Sequence, residues 1–181
     1  MKEIRLHGRG GQGAATAGEV LAYAAFYEGK YAQSFPYFGA ERRGAPVVAY
    51  TRIDNMPILI RTSIYNPHCV IVLDNKLIKT VNVLEGLLNG GTLVINSADL
   101  TFRNYVECKA VIAVVDATRI ALDTIGEPIT NMAMLGAFSI ATKWVKIESI
   151  YKAIEKKFHD RVAERNIEAA KMAYQNTQLL S

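Results

Sequence analysis

The run His7-Gly8-Arg9-Gly10-Gly11-Gln12-Gly13 constrains this chain more than any other stretch. Before it, Ile4-Arg5-Leu6 alternates as a strand does. After it, Ala14 to Ala22 reads as a helix. Gly8, Gly10 and Gly13 stand in G-x-G-x-x-G register. A strand, glycine turn and helix in series let backbone approach a ligand or a neighbouring chain. They also aim free N–H groups and the positive end of a helix dipole at whatever lies there. A dinucleotide reading needs an acidic residue roughly 20 positions further on, to hold a ribose hydroxyl. That neighbourhood reads Tyr31-Ala32-Gln33-Ser34-Phe35-Pro36-Tyr37-Phe38, with no carboxylate. Packing or anion contact is therefore expected of the loop, rather than nicotinamide binding.

A chain of 181 residues, half of them hydrophobic, suits a single domain over residues 1–181 with a core of its own. No apolar run approaches the roughly 18 residues a spanning helix needs. The start, Met1-Lys2-Glu3-Ile4-Arg5, is too polar for a signal peptide. A cytoplasmic location away from membranes is expected. The net charge of +4 raises nucleic acid as a partner. The basic residues are mostly scattered among glutamates in the last third, without a basic stripe interleaved with aromatics, so none is expected.

Cys69 and Cys108 form no C-x-x-C pair, and both read as buried, reduced thiols. Two thiols cannot supply the four that an iron–sulfur cluster usually takes, so any cluster would reside on another chain. His7, His68 and His159 are spread through different elements, and no metal site is expected. A G-x-S-x-G elbow and a G-x-x-x-x-G-K-[ST] loop are both absent. The chain thus offers no evident acid, base or nucleophile. That suits a binding domain or one subunit of a larger enzyme.

The first helix is expected from Gly13 to about Glu28, with Gly29 as its stop. A second strand is expected near Tyr31 to Ser34. Phe35 to Pro46 then concentrates aromatics, prolines, glycines and the triplet Glu41-Arg42-Arg43, which reads as an irregular loop. Exposed aromatics beside arginines suit a contact surface, and that reading is preferred to a loop folded onto its own core. Val47 to Ile53 and Pro57 to Arg61 read as a hairpin around Asp54-Asn55-Met56. Val70 to Leu73, Thr92 to Ile95 and Val111 to Val115 are near-continuous apolar runs, as in parallel strands covered on both faces. Asp74, Asn96 and Asp116 follow them and read as turn or cap residues. Asn131 to Thr142 is apolar nearly all round, so a buried helix is expected. Stripes at Ile147 to Phe158 and Ala163 to Tyr174 mark two amphipathic helices. The fold expected is α/β: a three-layer, Rossmann-like, mixed and mainly parallel sheet flanked by helices.

Three segments in series resemble one family. They are Arg9-Gly10-Gly11-Gln12-Gly13, Phe35 to Pro46 with Glu41-Arg42-Arg43-Gly44-Ala45-Pro46, and Asn131 to Phe138. Together they are similar to the gamma subunits of 2-oxoacid:ferredoxin oxidoreductases, above all of the pyruvate enzyme. The resemblance spans roughly residues 4 to 158. It implies an enzyme that oxidatively decarboxylates a 2-oxo acid, acylates coenzyme A and passes electrons to ferredoxin. Thiamine diphosphate held by alpha and beta subunits and iron–sulfur clusters on beta and delta subunits would complete it. The family offers no catalytic residue to carry over to this chain. The residues expected to meet a cofactor are Gly8, Gly10, Gly11, Gln12, Gly13, Arg42 and Arg43. Two alternatives stand beside this reading: a gamma-type subunit for another 2-oxo acid, and a free-standing nucleotide-binding oxidoreductase.

Overall fold

The computed structural model describes residues 1–37 and 44–180. Strand β1 (Lys2–Arg9) leads through the glycine turn into helix α1 (Ala14–Tyr27), then strands β2 (Tyr31–Tyr37) and β3 (Pro46–Asp54). Strands β4 (Cys69–Val72), β5 (Thr92–Asn96) and β6 (Val111–Val115) are separated by 3-10 turns at Asn75–Lys79 and Thr101–Tyr105. Helices α2 (Ala117–Thr124), α3 (Asn131–Thr142), α4 (Ile147–Lys157) and α5 (Asp160–Asn176) follow, and β7 (Gln178–Leu180) ends the order. The strands form one seven-stranded sheet in the order β2-β3-β1-β4-β5-β6-β7. β1, β4, β5 and β6 pair in parallel. β3 is antiparallel to both β1 and β2, and β7 to β6. β2 therefore points the same way as β1, and only β3 and β7 oppose the common direction. This is the mixed, mainly parallel α/β sheet expected from the apolar runs.

Alternation along the strands separates two cores. Ile4 and Leu6 of β1 join Val94, Ala113 and the apolar faces of α1 to α5 in the larger one. Val70, Val72, Leu93 and Ile95 point the other way, onto Leu77, Val83, Phe102 and Val106 of the irregular chain. One face of the sheet thus carries the helices, and the opposite layer is built from 3-10 turns and extended chain. α1 approaches β2 and β3 closely because position 18 has no side chain; a Cβ there would lie 3.0 Å from Thr51 Oγ1. α3 is buried on all sides, as its composition implied, with Met132, Met134 and Phe138 fully covered.

Three expectations are corrected. Pro57 to Arg61 does not pair with β3, although its composition suits a strand. Both edges of β3 are already occupied, by β1 and by β2, so no ladder remains for it. The antiparallel hairpin is instead β2 with β3. Strand β2 also runs to Tyr37 rather than ending near Ser34, and its Pro36 is tolerated because β2 is an edge strand. Phe35 to Tyr37 and Pro46 accordingly belong to strands rather than to the irregular loop expected there. Residues 38–43 lie outside the described residues.

On the face away from the helices, β1 buries Arg5 and His7. Burial pushes the His7 imidazole down to about 3, and the neighbouring Arg5 charge adds to this. The neutral ring accepts from Arg5 Nε through Nε2 at 3.0 Å.

Helices α3 and α5 cross at Gly136, where an added Cβ would stand 2.8 Å from the carbonyl carbon of Ala170. Backbone on a packed helix cannot swing aside as a flexible side chain can. Gly136→Ala is expected to destabilise the fold by about 1–3 kcal/mol or more, the scale of overpacking. Denaturant unfolding of both proteins checks this, and unchanged stability would show that the two helices can separate.

Candidate functional site

The sheet changes its winding at β1. The connection leaving β1 goes to β2 and β3 on one side, while β4 to β7 lie on the other. In open α/β sheets, ligands gather at such a switch, outside the carboxyl ends of the strands. There lies a cleft of about 870 Å³, bordered by Gly10, Gly11 and Gln12 after β1, Asp74 after β4, Asn96 at the end of β5 and Asp116 after β6. The capping residues of α2 and α3, Asp116 and Thr130, also reach it.

The glycine loop is closed by its own groups. Arg9 N donates to Gln12 Oε1 at 2.7 Å, while Gln12 N donates to the Arg9 carbonyl at 2.9 Å. Gly10 N donates to Ala45 O at 2.9 Å, and Gly44 N to Gly10 O at 3.2 Å, which extends the β1–β3 ladder into the loop. The glycines then divide by role. A Cβ at Gly8 would make ordinary contacts with Ala14 and Gln12, 3.4 Å away. Gly13 caps α1 in the left-handed region, φ 76°, and by having no Cβ leaves room for the Asn131 side chain. Asn131 Nδ2 donates back to the Gly13 carbonyl at 3.4 Å. Gly11, φ 95°, has open space where a side chain would be. Gly13, as the N-cap residue, brings no side chain to cap the first turn of α1. A smaller depression of about 340 Å³ lies over that turn, between Gly11, Thr16, Pro36 and Val47.

Of the residues that the sequence marks for ligand contact, Gly10, Gly11 and Gln12 border the main cleft, whereas Gly8 and Gly13 are engaged by the chain itself. Arg42 and Arg43 lie outside the described residues. Reasoning from sequence passes over Arg9 as a brace. Its Nε meets Asp74 Oδ2 at 2.7 Å across the switch, and its Nη1 donates to Gly44 O at 3.1 Å. Thr130 and Asn131 beside the loop are passed over as well. The one available signal for them is a polar pair opening an apolar helix.

The polar strand ends act as caps and also rim the cleft. Asp74 Oδ1 accepts from Lys76 N at 2.9 Å. Asp116 Oδ1 accepts from Arg119 N at 2.9 Å. Asn96 donates through Nδ2 to Leu73 O at 2.8 Å and to Thr118 Oγ1 at 2.9 Å, and its Oδ1 accepts from Thr118 N. These groups spend their hydrogen bonds on holding strand ends and helix starts. Burial pushes the Cys69 thiol well up, and the Cys108 thiol up as well, so neither is a ready thiolate. Among the described residues, no three His, Cys, Asp or Glu side chains converge as metal ligands. No helix there is long and apolar enough to cross a membrane. The cleft offers a ligand backbone groups, the Asn75 and Asn96 amides and the charged side chains of Asp74, Lys76, Asp116, Arg119 and Glu127.

Residues 3–176 match the family described as pyruvate ferredoxin/flavodoxin oxidoreductase. The pyruvate/ketoisovalerate oxidoreductases common subunit gamma of Pyrococcus abyssi is 52% identical, covering 99% of this chain and 98% of that one. The pyruvate synthase subunit PorC of Methanothermobacter thermautotrophicus is 49% identical, covering 99% and 98%. Among solved structures, the pyruvate oxidoreductase subunit PORC of Thermotoga maritima superposes with a TM-score of 0.89 at 39% identity, covering 99% and 98%.

The division among the glycines is testable. Alanine at either Gly11 or Gly13 meets left-handed backbone, at about 1–2 kcal/mol. At Gly13 the contact with Asn131 adds about 1–3 kcal/mol of crowding. Gly13→Ala should therefore melt well below Gly11→Ala, and equal melting temperatures would show that Asn131 yields freely.

Proposed function

The chain belongs to the pyruvate ferredoxin/flavodoxin oxidoreductase family, and on that premise we propose that it works as the gamma subunit of a multi-subunit pyruvate:ferredoxin oxidoreductase. The observation carrying this reading is similarity from end to end, at about half identity, to chains named as that subunit. The whole enzyme decarboxylates pyruvate oxidatively, forms acetyl-coenzyme A and delivers electrons to ferredoxin. Alpha, beta and delta chains are its partners in this reading, the assembly is cytoplasmic, and the gamma chain acts as one domain.

The allocation of cofactors is the one the family resemblance implies, and the donor set is consistent with it. A cluster usually takes four thiolates, and this chain has two cysteines, of which Cys69 is buried within β4. The resemblance to the family assigns the clusters to the beta and delta chains, and the two cysteines here agree with that. Thiamine diphosphate, held by alpha and beta, supplies the carbanion chemistry. What remains for this chain is binding. The glycine loop suits an anionic portion of coenzyme A, since the open side of Gly11 and the uncapped first turn of α1 favour negative charge. Arg42 and Arg43 would add fork-shaped donors for carboxylate or phosphate. Gly13, Asn131 and the Arg9–Asp74 pair hold that loop in place.

A second reading has its own support. The Pyrococcus relative is named as common to pyruvate and ketoisovalerate oxidoreductases. One gamma chain can therefore serve two substrate-specific partner sets, and this chain would then assemble with either.

The test is purification of the chain from native extract, with mass spectrometry of its partners and an iron assay. Three co-purifying chains, bound iron and dye reduction dependent on pyruvate and coenzyme A are expected. Pyruvate turnover by the purified single chain, or micromolar NAD binding to it, would contradict the proposal.

A further inference from the structure

β2 is the terminal strand of the sheet, and its outer edge has no partner among the described residues. The direction of its backbone groups follows from the ladder. The His7 carbonyl accepts from Leu73 N on the β4 side, so Leu6 faces β3 and bonds with Ala49. Ala49 is thereby turned from β2, and its opposite number Pro36 points outward. By alternation Ala32 and Ser34 point outward too, and among the described residues their N–H and C=O groups meet no backbone partner. Pro36 has no N–H to leave unpaired.

Exposed edges of this length are normally blunted by charge, bulges or brevity. β2 has seven residues and no charged side chain, and Pro36 guards only one end. Apolar surface flanks it on both faces. Tyr23, Phe26 and Tyr27 of α1 are exposed on the helical side, with Phe26 at 68%. Together with Ala32 and Lys156 they line a groove of about 380 Å³. On the other side Tyr31 and Tyr37 are exposed, and Tyr37 stands edge-on to Tyr50 of the Phe35–Tyr50 ring pair. The charges at the rim are one-sided. Glu19 is engaged by Lys157 at 2.6 Å. Lys156 and Arg61 are exposed, and neither has a carboxylate within ion-pair reach among the described residues.

We propose that the β2 edge receives an extended segment of another subunit of the same enzyme as an eighth strand. The segment is apolar at alternate positions and carries acidic side chains toward Lys156 and Arg61. Its backbone pairs with Ala32 and Ser34 while its side chains enter the α1 groove and the tyrosine face. Backbone pairing is tolerant of sequence, which suits a chain that serves more than one partner set. This inference rests on the gamma-subunit reading above.

The test uses the assembled complex. In amide exchange of the wild-type complex, Ala32 and Ser34 should be protected as strongly as Gln33 and Phe35, which bond to β3. Rapid exchange at Ala32 and Ser34 would overturn the proposal. Ala32→Pro removes one outward donor, and Phe26→Glu places in the groove a charge of the same sign as the incoming acidic segment without touching the core. Each should lower retention of the chain in the complex by roughly tenfold or more. Val162→Lys, at an exposed position of α5, should leave retention unchanged. Normal retention of Phe26→Glu, or protection of Ala32 that appears with no other subunit present, would also overturn the proposal, the latter in favour of a second copy. A wild-type chain that joins no complex would refute the gamma-subunit reading itself.

Discussion

The guanidinium of Arg52 sits on the helix-free face of the sheet at 1% exposure and gathers four separate acceptors. Its Nε meets Glu3 at 2.8 Å, and its terminal nitrogens donate to the carbonyls of Ile60, Thr62 and Ser63. One strand over, Arg5 does the same for Ile64, Val83 and Glu85, through contacts of 2.5 to 3.4 Å. Burying two cations is costly, and burial lowers the pKa of Arg5 in consequence. The cost is offset because each cation satisfies backbone oxygens that no helix or strand satisfies. Over β1 and β3 the two arginines thus tie the irregular layer to the sheet, as the smaller apolar core does over β4 and β5.

The same arrangement explains how far the sequence can be read. β1, α1 and the three apolar parallel strands are legible because a period of two, a glycine stop and continuous Val-Ile-Leu runs each have a single good structural answer. Pro57 to Arg61 misleads because strand composition does not tell whether a sheet edge is available. Its neighbouring carbonyls are taken by Arg52, a partner from inside the sheet that local pattern does not announce. β2 reads too short because Pro36 argues against a strand everywhere except at an edge, and only the assembled strand order makes Tyr31–Tyr37 one.

Within the site, legibility follows sequence distance. Gly10, Gly11 and Gln12 stand in one recognisable turn, and Asp74, Asn96 and Asp116 follow strands as caps commonly do. Asn131 bonds to Gly13 across 118 positions, and Arg9 to Asp74 across 65, so those contacts have no local signature. Both long-range contacts fix the loop from outside. The loop is therefore rigid by virtue of its neighbours, with Gly11 left as its open side. That arrangement is in keeping with the binding role proposed for the loop.

The central claim is that this chain contributes binding of the anionic substrate, coenzyme A, and no step of the chemistry. Gly11 offers a direct measurement, since the space beside it is open and Asp and Asn tolerate left-handed backbone better than most residues. Steady-state kinetics of the assembled enzyme with Gly11→Asp and Gly11→Asn would separate charge from shape. Gly11→Asp is expected to raise the KM for coenzyme A roughly tenfold, about 1.4 kcal/mol, with kcat and the KM for pyruvate unchanged. Gly11→Asn should stay close to the parent enzyme. A fall in kcat with an unaltered KM for coenzyme A would contradict the claim.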